Sequence, residues 1–143
     1  MKLILHGIFL LLFTNLHSYT QVNLPDSMAL VGLYNSTGGS NWTNHTNWLV
    51  TNNPVSEWEG VVVSGDRVVS VSLNNNNLIG TISSSIGDLN ALTVLDLSGN
   101  TLSGGIPATI NSLTLLESLN LSSNNFTGTV PALNNLTNLS FCE

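Results

Sequence analysis

Val68-x-x-Val71-x-Leu73-x-x-Asn76-x-Leu78-x-Gly80-x-Ile82 is followed by Leu92-x-x-Leu95-x-Leu97-x-x-Asn100-x-Leu102-x-Gly104-x-Ile106-Pro107, and then by Leu116-x-x-Leu119-x-Leu121-x-x-Asn124-x-Phe126-x-Gly128-x-Val130-Pro131. Asn76, Asn100 and Asn124 recur every 24 residues, with apolar residues in the same places around each. Such a period marks a solenoid, whose short units cannot bury their apolar faces alone and do so by stacking. In Leu92-Thr93-Val94-Leu95-Asp96-Leu97, Leu95 and Leu97 alternate inward, which predicts one short strand per repeat. The expected fold is an α/β solenoid, a right-handed superhelix with a short parallel β-sheet on its concave face.

Each repeated Asn stands where a strand ends in a tight bend. Its amide can satisfy backbone groups that a buried bend would leave unpaired. Asn76, Asn100 and Asn124 are therefore expected to form an inward structural ladder. Gly104 with Pro107, and Gly128 with Pro131, shape the convex side, while Ile110 and Leu113 return the chain to the core. The first repeat has Ser83 in place of proline, and the third is one residue shorter.

The same alternation points other side chains out of the concave sheet. One file is Ser72, Asp96 and Asn120; its neighbours are Ser70, Val94, Ser118 and Asn74, Ser98, Ser122. These nine are the candidate ligand-binding residues. They are small and polar with one acid, and they lack the aromatic or Arg anchors that dominate strong interfaces.

Upstream, Pro25-Asp26 precedes an apolar helical face of Ala29, Leu30, Leu33 and Tyr34, with Asp26 expected as the N-cap. Ser36-Thr37-Gly38-Gly39-Ser40 stops that helix. Val61-Val62-Val63, Ser64-Gly65-Asp66 and Val68-Val69-Ser70-Val71 predict a hairpin into the first repeat, with Arg67 and Asp66 as a solvated turn pair. Trp42, Trp48 and Trp58 lie between. They could form a sugar-stacking platform, but a solenoid end needs a seal and large aromatics supply one; the seal is the expectation. The domain plan is thus a leader over 1–20, a helical and hairpin cap over 21–67, three repeats (68–91, 92–115, 116–138) and, over 139–143, the start of a truncated fourth.

Only 7% of the 143 residues are charged, and Lys2 and Arg67 are the only Lys or Arg against eight acids, for a net charge of −6. That excludes nucleic acid and anionic membrane surfaces as partners. Lys2, the apolar run Leu3 to Phe13 and the small residues Ser18 and Thr20 read as a secretory signal cleaved near Gln21. The run is shorter than the about 20 residues a membrane span needs, and no span follows it. The expected location is secreted or at the cell surface. Cys142 is the only cysteine, so no disulfide forms within the chain.

The tail of each repeat, L-x-G-x-I-P-x-x-I-x-x-L, resembles the plant-type subclass of leucine-rich repeats, found in receptor-kinase ectodomains, polygalacturonase-inhibitor-like proteins and secreted bacterial proteins. The stretch holding Ala29-Leu30, Trp42, Trp48 and Trp58-Glu59-Gly60-Val61 resembles that group's N-terminal cap. It departs from the plant version in having Ser56 and Val63 where a cysteine pair frames the W-x-G-V segment. The resemblance implies non-catalytic protein or glycan recognition through the concave face.

No pair of acids has an acid–base spacing; Glu57 and Glu59 flank Trp58 on what reads as a solvated edge. His45 is the one His outside the leader, too few for metal ligation, and no catalytic or phosphate-binding motif occurs. Neither an enzyme, nor a cofactor, nor a metal is expected. Seven N-x-S/T triplets begin at Asn35, Asn41, Asn44, Asn120, Asn125, Asn135 and Asn138; they are read as a product of composition rather than as glycan acceptors. Leu139-Ser140-Phe141-Cys142 begins a fourth repeat, with Cys142 in a core slot. The expectation is a piece of a longer protein; self-association through the uncapped C-terminal face is the alternative. As a binding module the chain would stand alone, as the sensor ectodomain of a longer receptor, or as the targeting module of a secreted enzyme.

Overall fold

The computed structural model describes residues 21–140, so the leader expected over 1–20 and the core slot of Cys142 lie outside the described residues. The first element is helix α1, Leu24–Ser36. Its N-cap is Asn23, not Asp26: the Asn23 side chain accepts from the Asp26 main-chain N–H at 3.0 Å. Ala29, Leu30 and Leu33 are buried, and Tyr34 packs against them. The helix stops at Thr37, whose hydroxyl and main-chain N–H both donate to the Leu33 carbonyl, at 2.7 and 3.1 Å. Gly38 then takes φ 68°, a left-handed conformation open to glycine at no steric cost.

Asp26 has a different task from capping. Its carboxylate is fully buried and accepts from Nε and Nη2 of Arg67 at 3.1 and 3.0 Å, and from the Val68 main-chain N–H at 2.8 Å. Arg67 is therefore not a turn partner of Asp66. A buried carboxylate requires a cation and donors around it, and Arg67 with Val68 supplies both. The hydrogen bonds that Arg67 donates to Asp26 hold its guanidinium above its ordinary pKa, further into its charged form.

Strand β1, Val61–Ser64, turns through Gly65 and Asp66 into β2, Arg67–Ser72, and the two pair antiparallel with a register shift between Val62 and Val63. In chain order β3 (Ile79–Gly80), β4 (Val94–Asp96), β5 (Thr101–Gly104), β6 (Ser118–Asn120) and β7 (Asn125–Phe126) follow. One sheet runs β1-β2-β4-β6, its last three strands parallel; a second, β3-β5-β7, lies further along each coil. The second sheet adds a feature that periodicity did not reveal. After each Asn bend the extended L-x-G main chain meets the next coil, as in Thr101 N–H to Leu78 C=O at 3.0 Å and Thr127 N–H to Gly104 C=O at 2.9 Å.

Short 3-10 helices, Ser84–Asp88 and Ala108–Ser112, form the returning side. Ser83 replaces the cap position of Pro107, and its hydroxyl accepts from Ser85 N–H at 3.3 Å. Between these layers Val71, Leu78, Leu95, Leu97, Leu102, Ile110 and Leu113 are fully buried, whereas Leu119, Leu121 and Phe126 of the third repeat are only half-buried.

The tryptophans seal one end of this core. Trp42, Trp48 and Trp58 are buried, with centroid separations of 4.9 and 4.8 Å, and Tyr34 stacks on Trp48 at 5.9 Å. The burial leaves no ring face for a sugar. Gly60, at φ 77°, lets this segment close against β2: its carbonyl accepts from Ser72 N–H at 2.8 Å, and a side chain at Gly60 would strike the Ser72 carbonyl.

Candidate recognition surface

The Asn bends set where each outward side chain lands. Asn100 Oδ1 accepts from Asn76 and Leu78 N–H at 2.9 and 3.0 Å, while its Nδ2 donates to the Leu73 and Leu97 carbonyls, both at 2.9 Å. Asn124 accepts from Leu102 N–H at 3.0 Å and donates to Leu97 C=O at 2.9 Å. Asn76 reaches the other way, donating to the Asn44 carbonyl at 2.8 Å and accepting from Asn44 N–H at 2.6 Å. The polar capacity of these amides is spent on main chain.

The concave residues lie in register across the strands. Ser70 aligns with Val94 and Ser118, and Ser72 with Asp96 and Asn120. Asn74, Ser98 and Ser122 lie just beyond the strand ends, with neighbouring coils joined by Asn75 N–H to Ser98 C=O at 2.9 Å and Gly99 N–H to Ser122 C=O at 3.0 Å. A recess of about 290 Å³ gathers Ser72, Val94, Asp96, Ser118, Asn120 and Ser122 over a floor that includes Leu119. A second, of about 240 Å³, gathers Ser72 and Asn74 with Thr43, Asn44 and Glu59. Ser70 and Ser98 line neither recess.

Two outward residues escaped the repeat pattern. Val62 pairs with Ser70, which puts both on the same face of the sheet, and it is 55% exposed. Glu59 enters the second recess from the segment before β1. Both precede the first repeat; only the hairpin register could have found them.

Asp96 is already half used. Its Oδ1 accepts from Ser98 N–H at 3.0 Å and Ser98 Oγ at 2.7 Å, and Asn120 makes the same turn with Ser122 at 3.2 and 2.8 Å. A further hollow of about 430 Å³ lies instead among Gln21, Val22, Ser27 and Asn52 to Val55. It has neither a charge nor an aromatic face to orient a ligand. Among the described residues no three His, Cys, Asp or Glu side chains group as metal ligands, and no helix is long and apolar enough to cross a membrane.

No curated protein matches the chain. Among solved structures it is similar to the ectodomain of the Arabidopsis thaliana receptor kinase SOBIR1, with 30% identity and a TM-score of 0.68 over 85% of this chain and 66% of that one. The ectodomain of the A. thaliana receptor kinase GASSHO1/SCHENGEN3, solved in complex with CASPARIAN STRIP INTEGRITY FACTOR 2, is 34% identical with a TM-score of 0.71, over 80% of this chain and 14% of that one. A plant ice-binding protein matches at 25% identity and a TM-score of 0.54, over 83% of this chain and 46% of that one. The chain thus spans just under two thirds of the first and a small part of the second. The Leucine rich repeat family model matches residues 66–126, and a second Leucine Rich Repeat model matches 115–142. These matches begin and continue where Val68, Leu92 and Leu116 open successive stacked coils, and the chain belongs to the leucine-rich-repeat family.

Proposed function

We propose that this chain is an extracellular, non-catalytic recognition module that binds an extended peptide or an exposed protein segment on its concave face. One contrast carries the reading. The ladder amides are consumed by main chain, whereas the outward side chains of Ser70, Ser72, Asn74 and Ser118 enter no side-chain hydrogen bond among the described residues. Donors and acceptors that the fold leaves unused, with Ser72, Asn74 and Ser118 lining the two recesses, are what a peptide backbone requires. The relative solved in complex with CASPARIAN STRIP INTEGRITY FACTOR 2 and the receptor-kinase origin of both ectodomains support an extracellular binding role. The leader expected over 1–20 supports export.

Peptide is favoured over glycan because sugar sites are built on exposed aromatic faces, and all three tryptophans are buried here. The test is a bulky block. Peptides selected on the protein should lose binding to a Ser72→Trp variant, at the meeting point of both recesses, and keep it for Thr127→Trp outside them. Retention by Ser72→Trp with loss at Thr127→Trp would move the site off the concave face, and retention of glycans alone on an array would change the ligand class.

A further inference from the structure

We propose that the occupant of the concave face is a positively charged extended peptide, laid across the strands with a Lys or Arg side chain between Glu59 and Asp96. The inference rests on the peptide-site reading above and adds the charge and path of the ligand. The two recesses share Ser72. They therefore form one trough that starts at Thr43 and Glu59 of the N-terminal segment, crosses β2 and β4, and ends at Asn120 on β6. The Glu59 segment and three strands, at about 4.8 Å separation, make a path of roughly 14 Å, the reach of four or five residues of extended chain. The segment before the first repeat thus supplies one wall of the site as well as sealing the core.

The trough carries charge of one sign. Glu59 and Asp96 lie in recesses that meet at Ser72, and Asp96 gives only Oδ1 to Ser98, leaving Oδ2 for a ligand. Arg67, the one Lys or Arg among the described residues, is held by buried Asp26. No cation of the described chain compensates either acid, so a cationic peptide is complementary and an acidic one is repelled. Beside the acids runs an apolar row, Val62 and Val94, joined through Ser70. It fits an aliphatic side chain adjoining the cation.

The repeats contain their own control. Asn120 stands one coil after Asp96 and makes the same turn with the same kind of partner. Asp96→Asn therefore removes a charge while keeping the turn, and Asn120→Asp adds one. Glu59 serves the fold through its main chain, its N–H to Thr46 C=O at 3.1 Å and its carbonyl to Trp48 Nε1 at 2.8 Å, so Glu59→Gln leaves those bonds intact.

The experiment selects a random pentapeptide display library on the full chain at low salt and measures the selected peptides by fluorescence anisotropy. Selected sequences should carry Lys or Arg beside an aliphatic residue. Glu59→Gln and Asp96→Asn should each weaken them roughly threefold, as exposed ion pairs do, Asn120→Asp should strengthen them, and added salt should weaken them. Enrichment of neutral or acidic peptides indifferent to these variants overturns the charge proposal and leaves the peptide reading standing. An effect of Asp96→Asn without one of Glu59→Gln overturns the path across the N-terminal segment. No enrichment at all, with binding on a glycan array, overturns the peptide reading and this inference with it.

Discussion

Asp26 on the first turn of α1 accepts both Nε and Nη2 of Arg67, 41 residues further on, and the Val68 N–H beside it. The three bonds tie the helix to the strand that opens the first repeat. Their loss is asymmetric, because Asp26 is fully buried while the Arg67 side chain is 29% exposed. Arg67→Met strands a buried carboxylate and is expected to cost about 3 kcal/mol. Asp26→Asn keeps an acceptor for Val68 and frees Arg67 toward water, for about 1–2 kcal/mol. Urea unfolding followed by tryptophan fluorescence measures both; equal losses, or a larger one for Asp26→Asn, would count against the buried-charge account.

The Asn ladder predicts a graded response rather than a uniform one. Asn100 is 7% exposed and serves two buried N–H groups, those of Asn76 and Leu78. Asn124 is half-buried and serves one, that of Leu102. Asn100→Ala is expected to cost about 2–3 kcal/mol and Asn124→Ala about 1 kcal/mol, since water can enter the space left by the half-buried Asn124 side chain and replace its bonds. Denaturant midpoints of the two variants test the order.

The strands, the Asn bends and the concave files were legible because each repeats at one spacing, and the period of 24 puts equivalent residues on adjacent coils. The Asp26–Arg67 pair was not, because nothing local distinguishes Asp26 from Asp66 as a partner for Arg67. Only the packing of α1 on the hairpin does. The second sheet was missed because only one recurring apolar residue per coil, Leu78, Leu102 or Phe126, marks it. Val62 and Glu59 were missed because the concave face extends past the repeats that defined it. The Ser and Thr content has a structural use. The hydroxyls of Thr93, Thr101, Thr109 and Ser140 donate to carbonyls of Val69, Leu78, Ser84 and Glu117 on the preceding coil, at 2.9, 3.1, 2.7 and 2.8 Å. Neutral side chains thus knit the coils of a chain with few charges and one cysteine.

The three tryptophans differ in one respect that substitution can isolate. Trp42 Nε1 donates to Thr37 C=O at 3.0 Å and Trp48 Nε1 to Glu59 C=O at 2.8 Å, while Trp58 Nε1 is buried without a partner. Replacement by Phe removes ring volume at all three but a hydrogen bond at only two. Trp58→Phe is expected to be the mildest, by about 1 kcal/mol relative to Trp42→Phe and Trp48→Phe. Thermal melts by circular dichroism decide it, and a Trp58→Phe loss as large as the others would mean that packing outweighs the bonds.

Leu102 and Phe126 occupy the same slot one coil apart, yet Leu102 is fully buried and Phe126 only half-buried. Burial rather than side-chain size should therefore govern the cost of truncation. A fully buried Leu→Ala leaves a cavity and typically costs 2–5 kcal/mol, so Leu102→Ala is expected to lose about 3 kcal/mol. Phe126→Ala, which for a buried ring would cost at least as much, is expected to lose about 1–2 kcal/mol because the ring is only partly withdrawn from water. The comparison is made by urea unfolding of the full chain. Were Phe126→Ala the more damaging of the two, the ring would be covered in solution, and light scattering of the same sample would show whether a second copy covers it.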